Sequence, residues 1–180
     1  LKKIDYKKLE ISDIDINLFS KFNRYQDVKK CWRKENGEWI LKEIPFVEQW
    51  NTDEYKFLVK CLRNTVNEGG AVFGAFDNDS LVGFASLENK FFGSENQYLQ
   101  LSSIHISAEA RGHKIGKKLF YLISMKAKKL GAQKLYISAH SSEETQGFYK
   151  SLGCVEALEY NLDLVSKEPF DCQLEYTLLK

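Results

Sequence analysis

Apolar residues along this chain recur at strand spacing in some stretches and at helix spacing in others, and the changes between the two mark its elements. IDYKKLEI, residues 4–11, reads as a short first strand. Ile14, Leu18, Phe19 and Phe22 then fall on one helical face, with Ser12 placed to cap the helix. Residues 27–46 predict a β-hairpin around Glu35-Asn36-Gly37-Glu38, because Asn-Gly suits a two-residue type I′ turn. Folding there sets Trp32 against Leu41, Lys34 against Trp39 and Lys30 against Glu43, giving one face two tryptophans and one ion pair. A helix over 52–68 follows, with Tyr55, Leu58, Val59, Leu62 and Val66 on its buried stripe and Gly69-Gly70 at its end.

AVFGAF and LVGFASL, joined by Asp77-Asn78-Asp79-Ser80, predict two antiparallel strands, and YLQLSSIHIS predicts another. A helix over 113–130 buries Ile115, Leu119, Leu122, Ile123 and Leu130, and Gly131 stands where a helix-terminating glycine belongs. KLYISAH is a further strand, a helix runs from Ser142 to Leu152, and two last strands cover 154–165 and 170–179. This order predicts a mixed α+β domain spanning residues 1–180, without internal repeats or linkers. The crossover through 113–130 should set strand 134–139 parallel to strand 98–106.

Strand 98–106 carries an irregularity. Leu99 and Leu101 share one parity, Ile104 and Ile106 the other. One extra residue at Ser102-Ser103, a β-bulge, would return all four to one face; burial on both faces is the alternative. A bulge would free backbone groups for a ligand.

Composition narrows the class. The chain has 180 residues, 43% hydrophobic and 28% charged, with a formal net charge of +1. No global field calls for an anionic polymer, and no apolar run is long enough to span a membrane. Cys31, Cys61, Cys154 and Cys172 lie far apart, with no CxxC pair and no histidine at ligand spacing. Free thiols, a cytoplasmic location and no metal are the expectation.

The stretch ARGHKIGKKLF, residues 110–120, concentrates two glycines, an arginine and three lysines at a helix start. Helix N-termini expose unpaired N–H groups that attract phosphate. A Walker loop is excluded by count: three residues instead of four separate Gly112 from Gly116, and Lys118 stands where a magnesium-binding hydroxyl should be. The dinucleotide fingerprint GxGxxG is absent. Lys114, Lys117, Lys118, Lys126, Lys128 and Lys129 could instead meet nucleic acid, but Phe120 and Tyr121 form no stacking platform.

Residues 106–116, Ile-Ser-Ala-Glu-Ala-Arg-Gly-His-Lys-Ile-Gly, resemble the acetyl-CoA signature of the GNAT N-acetyltransferase superfamily. Arg111 and Gly116 match the Arg and final Gly of its R-x-x-G-x-G/A core, while Lys114 replaces the first glycine. A second signature, N-x-x-A-x-x-F-Y-x-x-x-G-F, resembles residues 142–154: Phe148, Tyr149 and Gly153 match, and Ser142, Thr145 and Cys154 depart. The resemblance implies a central, mostly antiparallel twisted sheet whose parallel strands 98–106 and 134–139 splay apart, flanked by helices, with the 27–46 hairpin inserted. It further implies an acetyl-CoA core over 71–160, an acceptor-side and hairpin region over 1–70, and last strands over 161–180. The pyrophosphate would rest on Arg111, Gly112, His113, Lys114, Ile115, Gly116 and Lys117. The pantetheine would pair with the bulged strand at Ile104, His105 and Ile106, and Ser142 and Tyr149 would complete the site.

By its place in the motif Tyr149 is the expected general acid, since a phenol titrates near pH 10, close enough to a thiol to yield its proton. His140, ending a strand beside the expected cleft, is a candidate base; a strand-end histidine bonded to a loop carbonyl is the structural alternative. His105 should face the helix layer or solvent. Glu43 and Glu48 lie in the segment expected to border the acceptor, where either could act as base through water. Trp32, Trp39 and Trp50 with Phe46 could wall an acceptor pocket, bury the hairpin or form a dimer contact. Ser141 with Glu144 fits a capping box, which would make Glu144 structural. The expected activity is acetyl transfer from acetyl-CoA to a primary amine of a small molecule or peptide, by a monomer or homodimer, with a non-catalytic acetyl-CoA sensor as the alternative.

Overall fold

The computed structural model describes residues 3–178. Its strands are β1 (Ile4–Lys8), β2 (Gln26–Glu35), β3 (Glu38–Glu48), β4 (Ala71–Asp77), β5 (Ser80–Leu87), β6 (Tyr98–Ile106), β7 (Lys134–Ala139), β8 (Val155–Glu156) and β9 (Cys172–Thr177). Its helices are α1 (Thr52–Asn67), α2 (Ile115–Leu130), α3 (Glu143–Ser151) and α4 (Leu162–Lys167). One sheet runs in the order β1-β4-β5-β6-β7-β9-β8, and β2 and β3 pair separately. Among the described residues only β6 and β7 pair in parallel; the other neighbours are antiparallel, the mixed α+β architecture that the element order predicts.

Helices cover both sheet faces because each presents an apolar stripe. Ile115, Leu119, Ile123 and Ala127 of α2 are buried against Ala85, Leu99, Leu101 and Leu135. On the opposite face Leu62 of α1, with Tyr55, Leu58, Val59 and Val66, closes over Val72, Leu81 and Phe84. Asn51 starts α1 with a reciprocal cap: its side chain accepts from Glu54 N–H, and the Glu54 carboxylate accepts from Asn51 N–H.

The parity change in β6 is a bulge. Ser86 pairs with Ser103 and Leu87 with Leu101, so Ser102 has no partner of its own on β5. Leu99 and Leu101 are buried in the α2-side core, and Ile104 and Ile106 pack against that same core. All four therefore face one side.

The hairpin forms in the expected register, Trp32 against Leu41 and Lys34 against Trp39, with Asn36 and Gly37 both at positive φ as a type I′ turn requires. Lys30 and Glu43 are opposite one another but form no ion pair; Lys34 instead bridges to Glu156 at 2.6 Å. Two expectations are corrected outright. Residues 11–19 form two 3-10 turns and not a helix capped by Ser12, because Asp13 accepts from Glu10 N–H and Asp15 from Leu18 N–H. Short acidic side chains there bond local backbone in competition with a helix, while Ile14, Phe19 and Phe22 are buried as predicted. The strand expected over 154–165 shrinks to β8, since Asn161 accepts from Leu164 N–H and starts α4. The last strand is Cys172–Thr177, and position 179 of the predicted strand lies outside the described residues.

Deleting Ser102 would put Ile104 and Ile106 on the wrong face of β6. We expect a loss of about 3 kcal/mol or more, read as a fall in Tm of about 6 °C or more. An unchanged Tm would show that the bulge is dispensable.

Candidate active site

β6 and β7 pair only at Tyr98–Lys134, Leu99–Leu135 and Gln100–Tyr136. Beyond that β6 stays on β5 and β7 stays on β9, so the two strands diverge. The gap opens into a cleft of about 820 Å³ lined by Ser102 to Ile106 from β6 and by Ile137 to His140 from β7. A strand edge without a partner leaves backbone donors and acceptors for a ligand.

One rim is cationic. Arg111, Gly112, Lys114, Gly116 and Lys117 line the cleft at the start of α2. The first α2 N–H to find a helical carbonyl is that of Lys118, on Lys114 O at 3.1 Å, so the preceding turn keeps its donors free. Arg111 Nε donates to Ile106 O at 3.2 Å, tying this rim to the end of β6. Gly112 takes φ +80° and Lys114 takes φ +62°. The left-handed backbone at 114 suits glycine, and a lysine there carries about 1 kcal/mol of strain. Gly116 has a separate reason: a Cβ would stand 3.1 Å from the Phe148 ring, which also lines the cleft. The two sequence signatures meet at that contact.

The face of the splay away from α2 is mixed. Arg24, 6% exposed, stacks 5.0 Å from the Trp50 ring, donates to Glu48 at 2.8 Å and to Gln26 at 3.0 Å, and lines the cleft. Its Nε has no partner among the described residues. His105 sits between the Trp50 and Phe84 rings, at 4.8 and 5.5 Å. Burial first, then the charges of Arg24 and Arg111, push its pKa down to about 3, so it is an uncharged ring at neutral pH. His140 accepts from Ser142 N–H at 3.1 Å through Nδ1, which places the neutral ring's hydrogen on Nε2. Its ring lies 5.6 Å from Phe46 of β3.

Tyr149 reaches the cleft from α3, 5% exposed, with the Phe148 and Phe120 rings at 5.1 and 6.5 Å. Burial, then the neighbouring Cys154 and Asp171, raise its pKa, so the phenol is held protonated and stands further above a thiol than the free phenol of the motif reading. Burial also pushes the Cys154 and Cys172 thiols up to about 12, which leaves them unreactive at neutral pH.

The cleft thus gathers Ile104, His105, Ile106, Arg111, Gly112, Lys114, Gly116, Lys117, His140 and Tyr149. Ile115 is instead buried in the core, and His113 turns its Nδ1 to Arg111 O at 2.9 Å. Ser142 is fully buried and caps α3 by accepting from Thr145 N–H, so the predicted Ser141–Glu144 box is replaced and Glu144 lines the cleft. Trp32 and Trp39 pack on the α2-side core, Glu43 is exposed outside the cleft, and Glu48 meets the site through its ion pair with Arg24. Sequence reading missed Arg24, Gln26, Ser103 and Ser138. Of these only Ser103 carried a local signal, the parity change beside it.

The sequence matches the family model of the Acetyltransferase (GNAT) family over residues 27–154. The chain belongs to that family, and so to the acetyl-CoA-dependent acyltransferases. No curated protein sequence matches it. Among solved structures, nourseothricin acetyltransferase is 16% identical, with 98% of this chain and 99% of that one covered at a TM-score of 0.70. A Bacillus anthracis strain Ames protein, assigned as a streptothricin acetyltransferase and complexed with acetyl coenzyme A, is 15% identical, with 99% of each chain covered at 0.73. The PaiA N-acetyltransferase of Thermoplasma acidophilum, complexed with coenzyme A, is 16% identical, with 97% and 99% covered at 0.60. These neighbours share the fold. Among the described residues no helix is long and apolar enough to cross a membrane, and no group of three His, Cys, Asp or Glu is placed to hold a metal ion.

Lys114→Gly removes the left-handed strain and should raise stability by about 1 kcal/mol, a rise in Tm of about 2–4 °C. A fall in Tm would show that the lysine side chain stabilises this turn.

Proposed function

We propose that the protein moves an acetyl group from acetyl-CoA to a primary amine of a small molecule or peptide, by direct attack while both are bound. The observation that carries this reading is the splay itself: an opened strand pair with the free N–H groups of α2 at its mouth and a buried, protonated Tyr149 in its wall. The donor set fits a pyrophosphate at Arg111, Gly112, Lys114, Gly116 and Lys117, where backbone N–H groups and three cationic side chains converge. The unpaired edge of β6 near Ile104 and Ile106 fits the amide-bearing arm of the same molecule. When bound, acetyl-CoA supplies the thioester carbon that the amine attacks.

The chain's own groups then have distinct work. Backbone N–H groups at the bulge side of β6 stabilise negative charge developing on the thioester oxygen. Tyr149 donates its proton to the departing sulfur. His140, with Nδ1 occupied, offers Nε2–H as a donor at the acceptor end and acts there in orientation, not as a base. His105 adds no charge to repel a cationic amine. Lys114 adds positive charge to the phosphate rim while its long stem swings clear of the backbone.

Calorimetry with acetyl-CoA should give saturable binding at tens of micromolar or below, and thiol release over an amine panel separates an enzyme from a sensor. Tyr149→Phe should lower kcat by about 100-fold with acetyl-CoA affinity unchanged; turnover at the wild-type rate would remove Tyr149 from the acid role. Lys114→Gly should weaken acetyl-CoA binding most at low salt, and tighter binding would mean that the side chain crowds the cradle.

A further inference from the structure

One hydroxyl lines the cleft from each strand of the splay, Ser103 on β6 and Ser138 on β7, and both have already committed their hydrogens elsewhere. Alternation from Gln100 and Tyr136, with Ser102 as the extra residue in β6, puts Ser103 and Ser138 on the same face of the diverging strands, the one away from α2. Both line the cleft.

The Ser138 hydroxyl donates to Asp171 Oδ2 at 2.9 Å and accepts from Gln173 Nε2 at 3.0 Å. The polarity behind it is fixed. Asn161 N–H donates to the Tyr136 hydroxyl at 2.8 Å, which donates to Gln173 Oε1 at 2.5 Å. On β6, Ser102 donates to Glu88 Oε1 at 2.7 Å. Having spent its one hydrogen, Ser102 must accept from Ser86 at 2.8 Å, and Ser86 must in turn accept from Ser103. The Ser103 and Ser138 hydroxyls therefore offer the cleft lone pairs and no hydrogen, each backed by a carboxylate. Such a pair of oxygens selects a group rich in N–H donors.

We propose that the acceptor's ammonium docks on the oxygens of Ser103 and Ser138, and that Asp171 takes its proton through the Ser138 hydroxyl. This rests on the acetyl-transfer reading above. In the step, the ammonium gives a proton to Ser138 Oγ while Ser138 passes its own hydrogen to Asp171, leaving a neutral amine and a protonated carboxyl. The amine nitrogen then forms the C–N bond, the C–S bond breaks, and the sulfur takes the Tyr149 proton. The amide nitrogen sheds its second proton to the Tyr149 phenolate and keeps the third, the thiol and the amide depart, and Asp171 loses its own proton to solvent.

Burial above all holds the Asp171 carboxyl higher than the usual carboxylate range. The Ser138 hydrogen bond and His140 oppose that shift, and Glu168 and Glu48 add to it. The Tyr149 phenol and Cys172 thiol also feel the Asp171 charge. Asp171 is a positioning residue, since it reaches the amine only through Ser138.

The test is thiol release by the full chain with acetyl-CoA and three acceptors: 1,5-diaminopentane, lysine amide and kanamycin. Asp171→Asn still accepts the Ser138 hydrogen but takes no proton. It should lower kcat about 100-fold at pH 7, leave the KM for acetyl-CoA unchanged, and recover as pH rises toward the amine's own pKa of about 10. Asp171→Glu should restore part of the rate. Ser138→Ala should show the same pH-dependent defect, which keeps the test open should Asp171→Asn fold poorly. Ser103→Ala should raise the amine KM about tenfold, close to the loss of one hydrogen bond to a charged group. A defect equal at every pH, or a wild-type rate in Asp171→Asn, would overturn the proposal alone. A wild type that binds acetyl-CoA yet acetylates none of the three amines would overturn the amine-acceptor reading and this inference with it.

Discussion

The structure turns on one unpaired residue in one strand. β6 must keep Leu99, Leu101, Ile104 and Ile106 under α2 while it leaves β7 and stays on β5. An extra residue at Ser102 reconciles these demands, because it restores the apolar face and bends the strand at the place where the parallel pair ends. The cleft is thus a consequence of how β6 is registered, held open by the core on one side and by β9 on the other.

The same bend sorts charge along the cleft. At its α2 end Arg111, Lys114 and Lys117 converge on free backbone N–H groups, a setting for phosphate oxygens. At its other end Glu48 answers the Arg24 charge, His105 is neutral, and the serine oxygens turn lone pairs inward. The hairpin supports this second region. Trp32 N–H donates to Ser141 O at 2.8 Å and Arg33 to Ser141 Oγ at 2.7 Å, fixing the turn that carries His140. Trp32 and Trp39 contribute by packing, while Phe46 stands against the His140 ring.

What could be read from the sequence follows from the range of each interaction. Alternation is local, so the parity slip in YLQLSSIHI exposed the bulge, and Asn36-Gly37 fixed the hairpin register. The R-G-H-K-I-G and F-Y-x-x-x-G runs pointed to the cleft because each is contiguous in sequence, one leading into α2 and the other ending α3. The failures were of two kinds. Short polar side chains at Asp13, Asp15 and Asn161 bonded nearby backbone and replaced the expected helix and strand with tight turns and α4. Long-range partners were invisible: burial of Arg24 depends on Trp50 and Glu48, and the setting of Asp171 depends on Ser138. Lys114 lies between these cases, since its place in the motif was plain but its left-handed backbone was not.

Amide hydrogen exchange with and without acetyl-CoA reads whether the opened β6–β7 pair and the first turn of α2 form one coenzyme site. New protection should be confined to residues 101–106 and 111–118, whose backbone donors line or border the cleft. Protection elsewhere, such as around Phe92 and Glu159 to Asp163 beside the smaller cavity of about 260 Å³, with none at 111–118, would contradict it.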